Sequence, residues 1–145
     1  MTSLQTVIVL AFGIYSLTGF LFGLKNRKNP LGLTKLFLPL TVFVWADAVV
    51  FGLFFFLVSV FCLLTSDFIL FLLIFSVFWT VRSIGETIYW FIEQFASKHL
   101  NPPSTLWPSK FYKGDEVWIV MQIFWQCVSV VGIITSVYLF SKFIQ

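Results

Sequence analysis

Asp47, Arg82, Glu86, Tyr89 and Glu93 interrupt stretches of sequence that are otherwise apolar. Ionisable groups are costly in hydrocarbon, and those that persist there mark relays, pathways or ion pairs. At 100° per residue, Arg82, Glu86, Tyr89 and Glu93 fall within an arc of about 60° of one helix. Arg82 and Glu86 also stand at i, i+4, the spacing of a helical ion pair. A minimal turn at Thr65-Ser66-Asp67 joins the second and third apolar stretches. Folding them about it brings residue x level with roughly 131 − x, which sets Asp47 opposite position 84, between Arg82 and Glu86. The predicted intramembrane polar cluster is therefore Asp47, Arg82 and Glu86, flanked by Tyr89 and Glu93. One arginine against two carboxylates leaves a net negative charge, expensive in low dielectric and removed by one proton. A proton-sharing group of this kind suits a proton-coupled transporter or a channel constriction. The competing reading is a structural salt bridge. Arg82 lies about 21 Å along its helix from Phe68, roughly 9 Å from the far edge of a 30 Å core, within reach of snorkelling.

The fourth apolar stretch supplies further polar groups. Gln122, Gln126 and Ser129 recur at i, i+4, i+7, and levelling the helix ends at Lys98 and Val117 sets Gln126 beside Tyr89 and Ser129 beside Glu86. On the first stretch Gly13, Ser16, Gly19 and Gly23 line one face, with a GxxxG at Gly19–Gly23. Such small-residue stripes let helix backbones approach closely, within a bundle or in a homodimer. Tyr89 and Trp90 suit the aromatic belt at a membrane interface.

No catalytic constellation stands out. The sequence lacks a Walker loop, GxGxxG, HExxH and GxSxG, and the one histidine, His99, reads as a solvated loop residue. Cys62 and Cys127 show neither metal-ligand spacing nor a disulfide framework. No metal, cofactor or nucleic-acid partner is implied.

The elements that must position these residues follow from composition. Of 145 residues, 59% are hydrophobic and only 10% charged, with a mean hydropathy of +0.98. A soluble domain carries about 25% charged residues, so the apolar excess here must face lipid. Four runs each supply the roughly 20 apolar residues that cross a bilayer, and none alternates as barrel strands do. The expected fold is all-α, an integral membrane bundle of four transmembrane helices in one domain over 1–145. The helices are expected at about 4–24, 37–64, 67–97 and 117–141. The first is expected to be retained rather than cleaved, having no basic residue before Lys25 and no small-residue exit.

Three function classes remain compatible with these residues. The first is a small proton-linked solute transporter or channel, possibly homo-oligomeric. The second is a non-catalytic subunit or assembly factor of a larger membrane complex. A lipid-modifying enzyme has the weakest support, because only Glu93 and His99 lie near the interface.

Loop charge predicts orientation. Lys25, Arg27, Lys28, Lys35, Lys98, Lys110 and Lys113 fall on one side of the membrane, and only Lys142 on the other. The positive-inside rule then places loops 25–35 and 98–116 in the cytoplasm and both termini outside, in a plasma or inner membrane. In a background without native cysteines, Asn29→Cys and Ser109→Cys should resist an impermeant thiol reagent added to intact cells, while Ser3→Cys reacts. The inverse pattern would reverse the orientation.

Overall fold

The computed structural model describes the chain apart from Leu33, Lys35, Thr41 and Lys98, together with the side chain of Leu38. Lys35 and Lys98, two of the seven loop cations, thus lie outside the described residues. Among the described residues the structure is all-helical. It has four α-helices, α1 (Ser3–Lys25), α2 (Trp45–Thr65), α3 (Phe68–Phe95) and α4 (Glu116–Phe143), and three short 3-10 turns. Each α-helix is long and apolar enough to cross a membrane. The chain divides into two compact units, Met1–Ile74 and Phe75–Gln145, with the boundary inside α3.

In the first unit α1 and α2 form an antiparallel hairpin held at the distance its small residues allow. Gly13, Ser16, Gly19 and Gly23 are all buried. A Cβ on Gly13 would meet Ser59 Cβ at 2.9 Å, and one on Gly23 would meet Val49 Cγ2 at 2.8 Å. Gly52 answers from α2, where a Cβ would lie 2.6 Å from Phe20 N and 2.8 Å from Ser16 O. The stripe on α1 is therefore occupied within its own hairpin. Phe12 packs edge-on against Phe55 and Phe71 at 5.4 and 5.5 Å, tying the first turns of α3 to the same core. The 65–67 turn is closed by Ser66 in the left-handed region (φ 53°), and Asp67 Oδ1 accepts the Leu70 N–H at 2.9 Å as the cap of α3.

The second helix begins at Trp45, whereas the apolar run predicts about residue 37. Pro39 lacks the amide proton a helix interior needs, and Leu38–Leu40 instead forms a 3-10 turn. The described residues ahead of α2 tuck back along α1. Tyr15 Oη donates to Leu36 O at 2.8 Å, and a Cβ on Gly19 would meet Phe37 and Leu40 at 3.2 and 3.4 Å. Gly19 lies about 9 Å along α1 from Lys25, so this non-helical segment reaches below the helix end. Such backbone is tolerated at that depth only when protein covers it, and Phe37, Leu40 and Val42 are buried. Pro30 O and Gly32 O accept the N–H groups of Ala46 and Trp45, which occupies two of the free donors at the start of α2.

Two glycines separate packing from propensity. Gly52→Ala drives a methyl into the α1 backbone and should lower thermal stability in detergent by about 1–3 kcal/mol, the range for overpacking. Gly85, in α3, has nothing within 4 Å of a built Cβ. Gly85→Ala should instead raise stability by about 0.5–1 kcal/mol through helix propensity. Equal effects at the two sites would contradict the α1–α2 packing.

Candidate functional site

The second unit carries a seam of polar contacts between α3 and α4. Ser76, Thr80, Ser83 and Thr87 recur on α3 at i, i+4, i+7, i+11, one helix face. Ser76 Oγ donates to Gly132 O at 3.3 Å and lies 2.9 Å from Ser136 Oγ. Thr80 Oγ1 donates to Ser76 O at 2.9 Å and lies 3.3 Å from the same Ser136 hydroxyl. With those two protons directed to carbonyls, the single Ser136 proton is left for one of these two hydroxyl–hydroxyl contacts. Gly132 makes the approach possible, since a Cβ there would lie 2.6 Å from Thr80 Oγ1. The next rung joins Ser129 Oγ to Ser83 Oγ at 3.0 Å, with Ser83 fully buried. Nearer the loop, Gln94 Nε2 donates to Gln122 Oε1 at 2.6 Å.

This register differs from the one that levels the helix ends. Ser129 is expected beside Glu86 and is found three residues away, on Ser83. Gln126, expected beside Tyr89, is exposed. The displacement follows from where the hydroxyls are. A serine proton in low dielectric must find an acceptor, and Ser76–Ser136 with Ser83–Ser129 satisfy two pairs in a single register.

The charged residues lie on the same length of α3. Arg82 Nη2 and Glu86 Oε1 are 2.8 Å apart, with 26% and 13% of their side chains exposed. The pair is set about 21 Å along α3 from Phe68 and about 20 Å from Phe95, near the middle of the helix. Trp79 and Trp90 stand on this side of the helix as well, within about 80° of Arg82. Their indole N–H groups are buried with no acceptor among the described residues. Trp90 is only 5% exposed, so it is a buried residue rather than a member of a lipid-facing belt.

Asp47 is positioned by the late start of α2. Where a helix from residue 37 would carry it into the span, it occupies the first turn and accepts the Phe43 N–H at 3.2 Å. A carboxylate there is favoured by the helix dipole and by the free N–H groups of the terminus. Within its own unit Asp47 thus ties the residue before the helix cap to the first turn of α2.

At the loop end the polar stripe runs into a latch that the sequence reading missed. Glu93 is 4% exposed, and its Oε1 accepts the Asn101 N–H at 2.8 Å. His99 Nδ1 lies 3.0 Å from Glu93 O, and because a carbonyl can only accept, Nδ1 carries the proton. The His99 ring stacks on Trp118 at 4.1 Å, and Trp118 Nε1 donates to Asn101 O at 2.9 Å. Asn101 Nδ2 also donates to Tyr89 Oη. Tyr89 and Glu93 are thus anchors for the strap 99–101. Among the described residues no group of three or more His, Cys, Asp or Glu side chains is gathered as a metal site.

No family model matches the chain, and neither a curated protein nor a solved structure matches it.

The ion pair has a measurable signature. In water an i, i+4 pair is worth about 0.3–0.5 kcal/mol, whereas an uncompensated charge at membrane depth costs about 3 kcal/mol. Arg82→Leu should therefore lower stability in detergent far more than the Arg82→Leu, Glu86→Leu double variant, which removes both charges. Additive losses in a thermal-unfolding cycle would show the two side chains to be uncoupled.

Proposed function

We propose that this protein is a small proton-linked transporter or channel, with Arg82 and Glu86 as its charge-switching pair. The observation that carries the reading is an ion pair near the middle of a long apolar helix, with side chains incompletely buried. A carboxylate bonded to a guanidinium can take up one proton, which turns the neutral ion pair into a site of charge +1 that a further carboxylate must compensate. Two further features support it. The indole N–H groups of Trp79 and Trp90 lack acceptors on this side of α3, and buried donors of that kind are ordinarily satisfied by water. The hydroxyl and amide rungs from Ser76 to Gln94 continue the polar character along about 27 Å of the same helix.

Asp47 is proposed to be energetically coupled to Arg82, on the levelling of α2 and α3 in sequence alone. The orientation with loops 25–35 and 98–116 in the cytoplasm is likewise a proposal from loop charge, as is the plasma or inner membrane.

A second reading, a non-catalytic subunit or assembly factor, has one observation in its favour. The Ser83–Ser129 rung is sealed, with exposures of 0% and 8%. Because the small stripe of α1 is filled by its own hairpin, partners or further copies would have to use other faces.

Proteoliposomes loaded with a pH-sensitive dye separate the readings. Wild-type protein should dissipate an imposed pH gradient, and Glu86→Gln should slow this at least about tenfold while unfolding at a similar temperature. Wild-type vesicles without pH-driven flux of any kind would leave the subunit reading. For Asp47, the Asp47→Leu, Arg82→Leu double variant should be more stable than Arg82→Leu alone.

A further inference from the structure

The connection between α3 and α4 encloses a feature that the transport reading leaves unused. Its two 3-10 turns, Pro103–Thr105 and Trp107–Lys110, fold against the first turn of α4. Between them lies a cavity of about 430 Å³, lined by Ser104, Ser109, Tyr112 and Lys113, with Pro103 and Val117 as its apolar side. The lining has one ammonium group and three hydroxyls, and no carboxylate. Such a donor-rich set matches a ligand that presents several acceptor oxygens around one centre. The volume holds a tetrahedral oxyanion together with a substituent of a few heavy atoms.

Its place along the chain says which oxyanion is at hand. Helices α3 and α4 have 28 residues each, about 42 Å, some 12 Å more than a hydrocarbon core. Their joined ends, and the loop between them, therefore reach the headgroup layer. Leu100, Trp107 and Phe111, in the same connection, expose 72%, 53% and 78% of their surface, the amphipathic profile of a segment seated in a membrane interface. In that layer the abundant tetrahedral oxyanion is the phosphodiester of a phospholipid. Asp115 and Glu116 follow directly in sequence and offset the charges of Lys110 and Lys113. Over 98–116 Lys98, Lys110 and Lys113 stand against Asp115 and Glu116, a small cationic excess, so recognition rests on the phosphate oxygens more than on bulk attraction to an anionic surface.

We propose that the cavity formed by Ser104, Ser109, Tyr112 and Lys113 binds the phosphate of a phospholipid headgroup from the leaflet on the loop side. Lys113 supplies the charge-assisted contact, the three hydroxyls orient the oxygens, and Trp107 and Phe111 lie along the acyl chains.

Native mass spectrometry of the full chain in detergent tests this, titrating with dihexanoyl phosphatidylglycerol, dihexanoyl phosphatidylcholine or inorganic phosphate. One phospholipid per chain should bind. Lys113→Gln should weaken it about tenfold or more, the loss expected for one charged hydrogen bond. Lys110→Gln, the same charge change outside the cavity lining, should leave binding within about twofold. Tyr112→Phe is a second probe, and unchanged unfolding temperatures would exclude loss of fold as the cause. Equal weakening by the two lysine variants would reduce the effect to surface charge and overturn the site. Inorganic phosphate binding as tightly as the lipids would make the free ion the ligand and overturn the lipid assignment, as would the absence of stoichiometric binding.

Discussion

Within hydrocarbon there is no water to replace a lost hydrogen bond, so every polar group carried into the membrane must find its partner inside the protein. This chain is 59% hydrophobic, and its hydroxyl and charged side chains in the spans are arranged under that constraint, whereas the buried indole N–H groups of Trp79 and Trp90 have no acceptor among the described residues. The hydroxyls of α3 are bonded either to a carbonyl one turn back or to a hydroxyl of α4. The buried Glu93 has the Asn101 amide, and the carbonyl of Glu93 has His99. Arg82 has Glu86. Helix packing then follows from the pairing: Gly132 lies opposite Thr80 because nothing larger would allow the Ser76–Ser136 contact to close.

The first unit meets the same constraint by different means. Its helices present glycine and serine to one another, so backbone meets backbone with few polar side chains between them. Ahead of α2, Phe37, Leu40 and Val42 are buried, and the chain is hydrogen-bonded at Thr34–Phe43 and Tyr15–Leu36. At Pro39 the chain forms a 3-10 turn and does not run on as α2, and the carbonyls of Pro30 and Gly32 receive the first donors of that helix. One consequence is chemical: Asp47 sits at a helix terminus, where a carboxylate is stabilised, instead of deep in the span.

Much of the architecture was legible in the sequence because length and hydropathy alone identify spans. The four apolar runs and the Arg82–Glu86 spacing follow from local rules about helices. What local rules miss is register. Levelling the ends of α3 and α4 sets Ser129 beside Glu86, but helix ends fray and the loop absorbs residues. The pairing of Ser83 with Ser129 was set by hydroxyls whose i, i+4, i+7 recurrence on α3 was present in the sequence and unused. The start of α2 was misplaced because an apolar run containing Pro39 looks the same to a hydropathy window whether it is helical or not. The latch at Asn101 left no pattern at all, since its contacts are mostly to backbone groups and bring the strap back onto residues 8 to 17 positions away.

The account rests on α3 and α4 being paired through their polar faces in the observed register, and disulfide trapping measures that most directly. Cys62 and Cys127 are free thiols and would first be replaced by serine. In membranes, the Ser83→Cys, Ser129→Cys variant should then form an intramolecular disulfide on mild oxidation, as hydroxyls 3.0 Å apart require. The Glu86→Cys, Ser129→Cys variant, which represents the register of levelled helix ends, should stay reduced under the same conditions. Rapid crosslinking of the second pair and none of the first would contradict the seam, and with it the placement of every polar group along it.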